Sequence, residues 1–140
     1  MKQIPVIFWT GTGNTQMMAD AIAEAINAAG AEAVVKNVSE ISADEVAGYD
    51  ALALGCPAMG AEVLEECEFE PFFTELEGKL AGKKVALFGS YGWGGSYMQD
   101  WEARVKDAGA TLVADGVLAL GAPDDEAVAK LAEAGKLLAE

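Results

Sequence analysis

Thr10-Gly11-Thr12-Gly13-Asn14-Thr15 separates a short apolar run, residues 4–9, from a segment with helical periodicity. A strand that feeds a helix through a tight loop aims backbone N–H groups and the positive end of a helix dipole at one point. The two glycines allow the bend and keep side chains away from an anion, while the threonines and the asparagine add neutral donors. The stretch reads as a phosphate cradle at the end of a first strand.

Working outward, Met18, Ile22, Ala25, Ile26 and Ala29 recur at helical spacing, and Gly30 follows as a stop signal. Residues 33–35 give a second strand and 51–55 a third, apolar throughout as expected for a strand covered on both faces. Ser42-Ala43-Asp44-Glu45 between them has the form of a capping box. After an irregular stretch from Cys56, the residues Phe69, Phe72, Phe73, Leu76 and Leu80 trace a helical stripe. Residues 85–89 form a fourth strand that runs into Ser90-Tyr91-Gly92-Trp93-Gly94-Gly95. Ser96-Tyr97-Met98-Gln99 reads as a second capping box, with Met98, Trp101, Val105 and Ala108 inward. Residues 112–120, interrupted at Asp115-Gly116, give a fifth strand. Val128, Leu131, Gly135 and Leu138 line the last helix, opened by Asp124-Asp125-Glu126.

Strands alternating with helices predict an α/β fold, a five-stranded parallel sheet with helices on both faces, built as a single domain over residues 1–140. Ligands of such sheets sit beyond the carboxyl ends of the strands. The glycine-rich stretches after strands one, three and four all fall there.

The chain is 52% hydrophobic, and its longest apolar runs are strand-sized, short of the roughly 20 residues that cross a bilayer. The first residues carry no signal-peptide core, so a cytoplasmic protein is expected. Cys56 and Cys67 match neither a disulfide framework nor a metal motif; Cys56 reads as packing and Cys67 as a surface thiol. Twenty-three acidic residues against nine basic ones and no histidine give a formal charge of −14. That surface disfavours nucleic acid and anionic membrane and steers basic protein partners.

Several phosphate chemistries are excluded by residue type. The loop has no lysine, as a P-loop needs, and the third glycine of a dinucleotide fingerprint would fall at Gln16. The ends of strands one and three lack the carboxylates of a phosphoryl acceptor, and no arginine follows Cys56 closely. What remains is a phosphate held by neutral donors beside exposed aromatic groups. Trp93, set between glycines at a strand end, suits stacking on a planar ligand, and Met59 suits covering its other face. Trp9 and Trp101 read as core.

At this point the chain resembles the flavodoxins, in particular the short-chain type of anaerobic bacteria. The resemblance rests on Thr10-Gly-Thr-Gly-Asn-Thr15, Gly55-Cys-Pro-Ala-Met-Gly-Ala-Glu62, Glu68-Phe-Glu-Pro-Phe72 and Gly82-Lys-Lys-Val-Ala-Leu-Phe-Gly-Ser-Tyr-Gly-Trp-Gly94. It implies a flavodoxin-like three-layer sandwich with strand order 2-1-3-4-5, bound FMN, and no enzymatic activity of its own. The implied role is that of a low-potential one-electron carrier, a monomer shuttling electrons between basic-surfaced redox proteins, mainly on the semiquinone/hydroquinone couple. By the same resemblance Thr10, Gly11, Thr12, Gly13, Asn14 and Thr15 hold the phosphate. Pro57, Ala58, Met59, Gly60, Ala61 and Glu62, with Ser90, Tyr91, Gly92, Trp93 and Gly94, embrace the ribityl chain and the ring. Glu62 would accept from flavin N3–H, and the peptide after Gly60 would turn over on reduction to accept from N5–H. Glycine permits that rearrangement, and its place as first central residue of Met59-Gly60-Ala61-Glu62 suits a type II′ turn.

Two departures stand out. Leu120-Gly121-Ala122 replaces a stretch that in the family often carries a flavin-binding asparagine, and the loop after Trp93 is one residue shorter than in relatives. Glu62, Glu65, Glu66, Glu68, Glu70, Glu75 and Glu77 lie in sequence without an intervening cation. They read as a docking patch for basic partners that also lowers the flavin potential modestly. The rival readings are an FMN-dependent quinone or NAD(P)H reductase of the same fold and a phosphate-ligand binding module without redox chemistry.

Overall fold

The computed structural model describes residues 2–11, 13–58, 64–91 and 96–140. The strands are β1 (Gln3–Phe8), β2 (Glu32–Asn37), β3 (Ala51–Gly55), β4 (Lys84–Tyr91), β5 (Thr111–Leu112) and β6 (Val117–Leu120). The α-helices are α1 (Asn14–Ala28), α2 (Ala43–Val46), α3 (Phe69–Glu77), α4 (Ser96–Asp107) and α5 (Asp125–Ala139). All strand pairings are parallel, in the order β2-β1-β3-β4, with β5 and β6 both against β4. This is the 2-1-3-4-5 order, with its last position filled by two short strands instead of one.

The break in that strand has a local cause. Gly116 N–H is taken by the Glu102 carboxylate at 2.7 Å, and the Met98 thioether occupies the space a Cβ on Gly116 would need. The second strand runs further than its apolar residues suggest, because β1 templates it in register from Gln3↔Glu32 to Phe8↔Asn37.

The sheet's two faces follow from the period-two alternation of strand side chains. Ile4, Val6, Phe8, Ala51, Ala53, Ala86 and Phe88 pack with Met18, Ile22, Ile26, Leu131 and Leu138 of α1 and α5. Ile7, Leu52, Leu54, Val85 and Leu87 pack with the Phe69, Phe72, Phe73 and Leu76 stripe of α3 and with Met98, Trp101 and Val105 of α4. The alanines of β3 face α1 and α5, and its leucines face the aromatic layer. Helices α1 and α5 approach closely at Gly135, where a Cβ would stand 3.0 Å from the Ile22 carbonyl.

Two expected core residues shift. Val128 is 41% exposed; Ala127 and Ala134 take the inward face of α5 alongside Leu131, Gly135 and Leu138. Trp9 is half-buried, its indole N–H donating to Glu68 Oε1 at 3.2 Å, whereas Trp101 is buried as expected. The capping box at Ser42 and Glu45 forms, and Asn37 and Glu40 make another that opens a 3₁₀ turn over Val38–Glu40. Helix α4 already includes Ser96, so Ser96 does not stand before the helix as the capping-box reading expects.

Candidate functional site

Because every strand is parallel, the chain leaves β1, β3 and β4 at the same edge. The ladder continues into the loops there: Trp9 N–H donates to the Gly55 carbonyl at 3.0 Å, Cys56 N–H to Phe88 at 3.1 Å, and Ala58 N–H to Ser90 at 2.9 Å. These bonds hold the first turns of the predicted site loops side by side.

Thr10 Oγ1 accepts the Gly13 N–H at 2.9 Å, closing a hydroxyl turn around residues 10–13. Gly13 is the cap of α1 with φ 93° and ψ −9°, a left-handed conformation that glycine adopts without penalty. No side chain caps this helix end, and no acidic residue stands in its first turn. An unblocked helix N-terminus beside neutral donors fits an anionic phosphate. Close approach is also protected at Gly11, where a Cβ would press on the Trp9 ring at 3.1 Å. Thr15 is buried and Asn14 half-buried at the start of α1.

The third loop starts from a fully tied residue. The Cys56 carbonyl accepts the Tyr97 hydroxyl at 2.8 Å, and its sulfur accepts the Glu65 N–H at 3.3 Å. Burial pushes the Cys56 thiol up to about 12, so it stays neutral. Burial likewise raises the Tyr97 phenol, with the neighbouring Cys56 adding to the effect. A Cβ on Gly89 would collide with both the Tyr97 hydroxyl and the Cys56 carbonyl, which makes glycine necessary in the middle of β4.

Ser90 is placed at the edge, but its hydroxyl donates to the Gly121 carbonyl at 2.7 Å, and Gly121 N–H returns to Tyr91 at 3.1 Å. The position where the family asparagine is missing is thus a backbone clasp between β4 and β6. Thr10, Gly11, Gly13, Asn14, Thr15, Pro57, Ala58, Ser90 and Tyr91 share this edge; Thr12, Met59, Gly60, Ala61, Glu62, Gly92, Trp93 and Gly94 lie outside the described residues.

The acidic run divides when folded. Glu65 turns inward and is buried, its carboxylate accepting the N–H groups of Cys67, Glu68 and Phe69 at 2.8, 2.7 and 2.9 Å. Burial opposes its ionisation, but the three backbone donors outweigh that and hold its carboxyl below the usual range. Arg104 of α4 spans Glu70 at 2.7 Å and Glu77 at 2.7 Å, with its guanidinium 4.7 Å from the Phe73 ring centre. Its hydrogen bonds, first to Glu70 and then to Glu77, raise the Arg104 pKa, and the same pairing lowers that of Glu70. Only Glu66, Glu68 and Glu75 of the described acids in this run are exposed. Glu65 is the buried tie that pattern reading placed in the acidic patch; an acid four residues before the first buried aromatic of α3 was its available signal.

A doubly wound parallel sheet with an uncapped helix N-terminus after its first strand has the architecture of the mononucleotide-binding proteins of the α/β class. The family model for flavodoxin matches residues 6–135. The flavodoxin of Clostridium beijerinckii is 48% identical over 135 residues, covering 96% of this chain and 97% of that one. That of Megasphaera elsdenii is 48% identical over 116 residues, covering 82% and 85%. The solution structure of the two-electron reduced Megasphaera elsdenii flavodoxin superposes with a TM-score of 0.90 at 44% identity, covering 97% of this chain and 98% of that one. The chain belongs to the flavodoxin family. It is an FMN-binding electron carrier and not an enzyme, and it acts with redox partners.

Proposed function

We propose that the chain is a cytoplasmic, monomeric single domain over residues 1–140 that carries electrons one at a time at low potential between basic-surfaced redox proteins. The observation that carries this reading is the α1 N-terminus, uncapped and free of cations and acids, at the same sheet edge as the loops from Cys56 and Ser90. FMN supplies the redox chemistry when bound. Residues 10–15 hold its phosphate by backbone N–H groups and hydroxyls, so the anchor brings no positive charge that would stabilise a reduced, anionic ring.

Pro57 to Glu62 and Tyr91 to Gly94 would border the ring, Trp93 and Met59 being the residues suited to cover its two faces. The peptide after Gly60 would offer its carbonyl oxygen as the acceptor for a ring N–H. Ser90 serves the site through Gly121, aligning the ends of β4 and β6. The docking acids are Glu66, Glu68 and Glu75; the buried Glu65 and the Arg104-paired Glu70 and Glu77 are spent internally. No helix among the described residues is long and apolar enough to cross a membrane.

Stopped-flow reduction by a basic reductase tests the docking assignment. Glu66→Gln, Glu68→Gln and Glu75→Gln together should slow it at low salt and converge with wild type at high salt, where exposed charges are screened. Salt-independent rates would refute it. A chain that oxidises NAD(P)H rapidly without partners would instead be a reductase.

A further inference from the structure

We propose that Glu65 is a positioning residue for the flavin-contacting segment: it ties the end of β3 to the start of α3 and so fixes both ends of residues 57–64. The backbone groups of Cys56 and Glu65 and the Glu65 carboxylate are committed to this tie or to its anchors, while the Cys56 thiol donates to the Pro57 carbonyl at 3.5 Å. Cys56 N–H goes to Phe88 of β4, its carbonyl takes the hydroxyl of Tyr97 in α4, and its sulfur takes the Glu65 N–H. The Glu65 carbonyl accepts the Glu70 N–H at 2.8 Å, and its carboxylate takes three more N–H groups at the mouth of α3.

The chemistry explains why a glutamate is buried here. A carboxylate removed from water is costly unless its oxygens are filled, and here backbone donors and the α3 dipole fill them without any cation. The opening N–H groups of α3 have no other described side-chain cap. A residue that served only this helix end could cap it from the solvent side. Glu65 instead faces inward, and its own N–H reaches back across nine positions to Cys56. The segment between therefore starts and ends on one buried post.

This inference rests on the reading that residues 57–62 contact the flavin ring. If they do, and if the peptide after Gly60 meets the ring only on reduction, loosening the post weakens that contact most, because it demands the tighter placement. The two redox forms then lose affinity unequally, and linkage turns the inequality into a potential shift. A cap serving only the fold would weaken both forms equally and leave the midpoint unmoved. Removing a negative charge near the ring, as a mere electrostatic effect, would raise the midpoint; loss of positioning lowers it.

The test is Glu65→Gln in the holoprotein. It places an amide donor against one of the three N–H groups while nearly preserving shape. FMN affinity of the oxidised form is expected to fall at least threefold, and that of the one-electron reduced form at least threefold more. That further factor lowers the first midpoint by about 28 mV, since tenfold is 59 mV for one electron. Amide exchange at Cys67, Glu68 and Phe69 should quicken together with it. A raised or unchanged midpoint with quickened exchange overturns the positioning role. If Glu65→Gln does not fold, Cys56→Ala and Cys56→Ser carry the test, because serine retains an acceptor for the Glu65 N–H. Alanine should lower the midpoint and serine restore part of it, and equal midpoints overturn the proposal. Gly60→Ala and Trp93→Ala separate the two layers: if neither changes FMN affinity or midpoint, the reading beneath the proposal fails. If they respond and the Glu65 and Cys56 variants do not, only the proposal fails.

Discussion

Replacing Gly13 by alanine isolates the conformational requirement of the proposed phosphate loop. Gly13 has φ 93° and caps α1, yet nothing lies within 4 Å of where its Cβ would stand. Alanine there meets no neighbour, so its whole cost is that of holding an L-residue in the left-handed region, roughly 1–2 kcal/mol. How that cost divides is informative. If the loop keeps its shape without FMN, the apoprotein loses the full amount and affinity is unchanged. If the loop relaxes when empty, the apoprotein is spared and affinity falls about 5- to 30-fold, at 1.4 kcal/mol per factor of ten.

Either way the sum is fixed by the bound conformation. Urea unfolding of the apoprotein, combined with quenching of FMN fluorescence on titration, measures both parts. Gly13→Asn should recover part of the loss, because asparagine tolerates positive φ better than alanine does. An alanine variant whose apoprotein stability and FMN affinity both match wild type would refute the argument, since the loop would then not need the conformation that glycine permits.

Three further outcomes follow from the tied edge of the sheet. Tyr97→Phe removes the hydroxyl from the buried Cys56 carbonyl, and the orphaned acceptor should cost about 1–3 kcal/mol in urea unfolding; a superimposable curve would deny the bond. The native protein should react with Ellman's reagent at pH 8 at one thiol, the exposed Cys67, and at two after denaturation, because Cys56 is buried and pushed up to about 12; two fast native thiols would contradict that burial. Glu65 and Glu70 both titrate below their ordinary value, so they add stability that is complete above about pH 4.3 and is lost as pH falls through their lower folded values. Unfolding followed from pH 5 downward should be less steep in Glu65→Gln, and an identical slope would show that the Glu65 carboxylate is not held by the α3 amides.

Much of the architecture is legible because it depends on local pattern. The turn from β1 into α1 declares itself by glycine spacing between an apolar run and a helical one. The Phe69, Phe72, Phe73, Leu76 and Leu80 stripe is buried as its period implies. Asp124 caps α5 by accepting the Ala127 N–H, as the acids at that point suggest. The Asn37-to-Glu40 capping box was equally present in the sequence, but within a stretch that ends a strand and carries no apolar period.

What pattern could not supply is the partner chosen by a side chain far along the chain. Seven glutamates without an intervening cation look like one solvated patch. Arg104 arrives from 27 and 34 residues away to occupy Glu77 and Glu70, and Glu65 turns its charge onto backbone amides. Trp9 has an apolar strand before it, but its ring lies where the sheet ends, against Gly11 and Glu68. The split between β5 and β6 depends on Glu102 and Met98 reaching Gly116, a contact with no local signature. Val128 fits the apolar period of α5, yet the close α1–α5 contact at Gly135 favours the smaller Ala127 and Ala134 on the inner face.

The central claim is that this fold carries electrons through a bound flavin at the edge shared by β1, β3 and β4. A spectroelectrochemical titration of the purified holoprotein tests it directly. The account predicts one FMN per chain, two resolved one-electron steps with the second at low potential, and no NAD(P)H oxidation without a partner. A chain that takes up no FMN, or one whose flavin is reduced in a single two-electron step and turns over NAD(P)H alone, would contradict it.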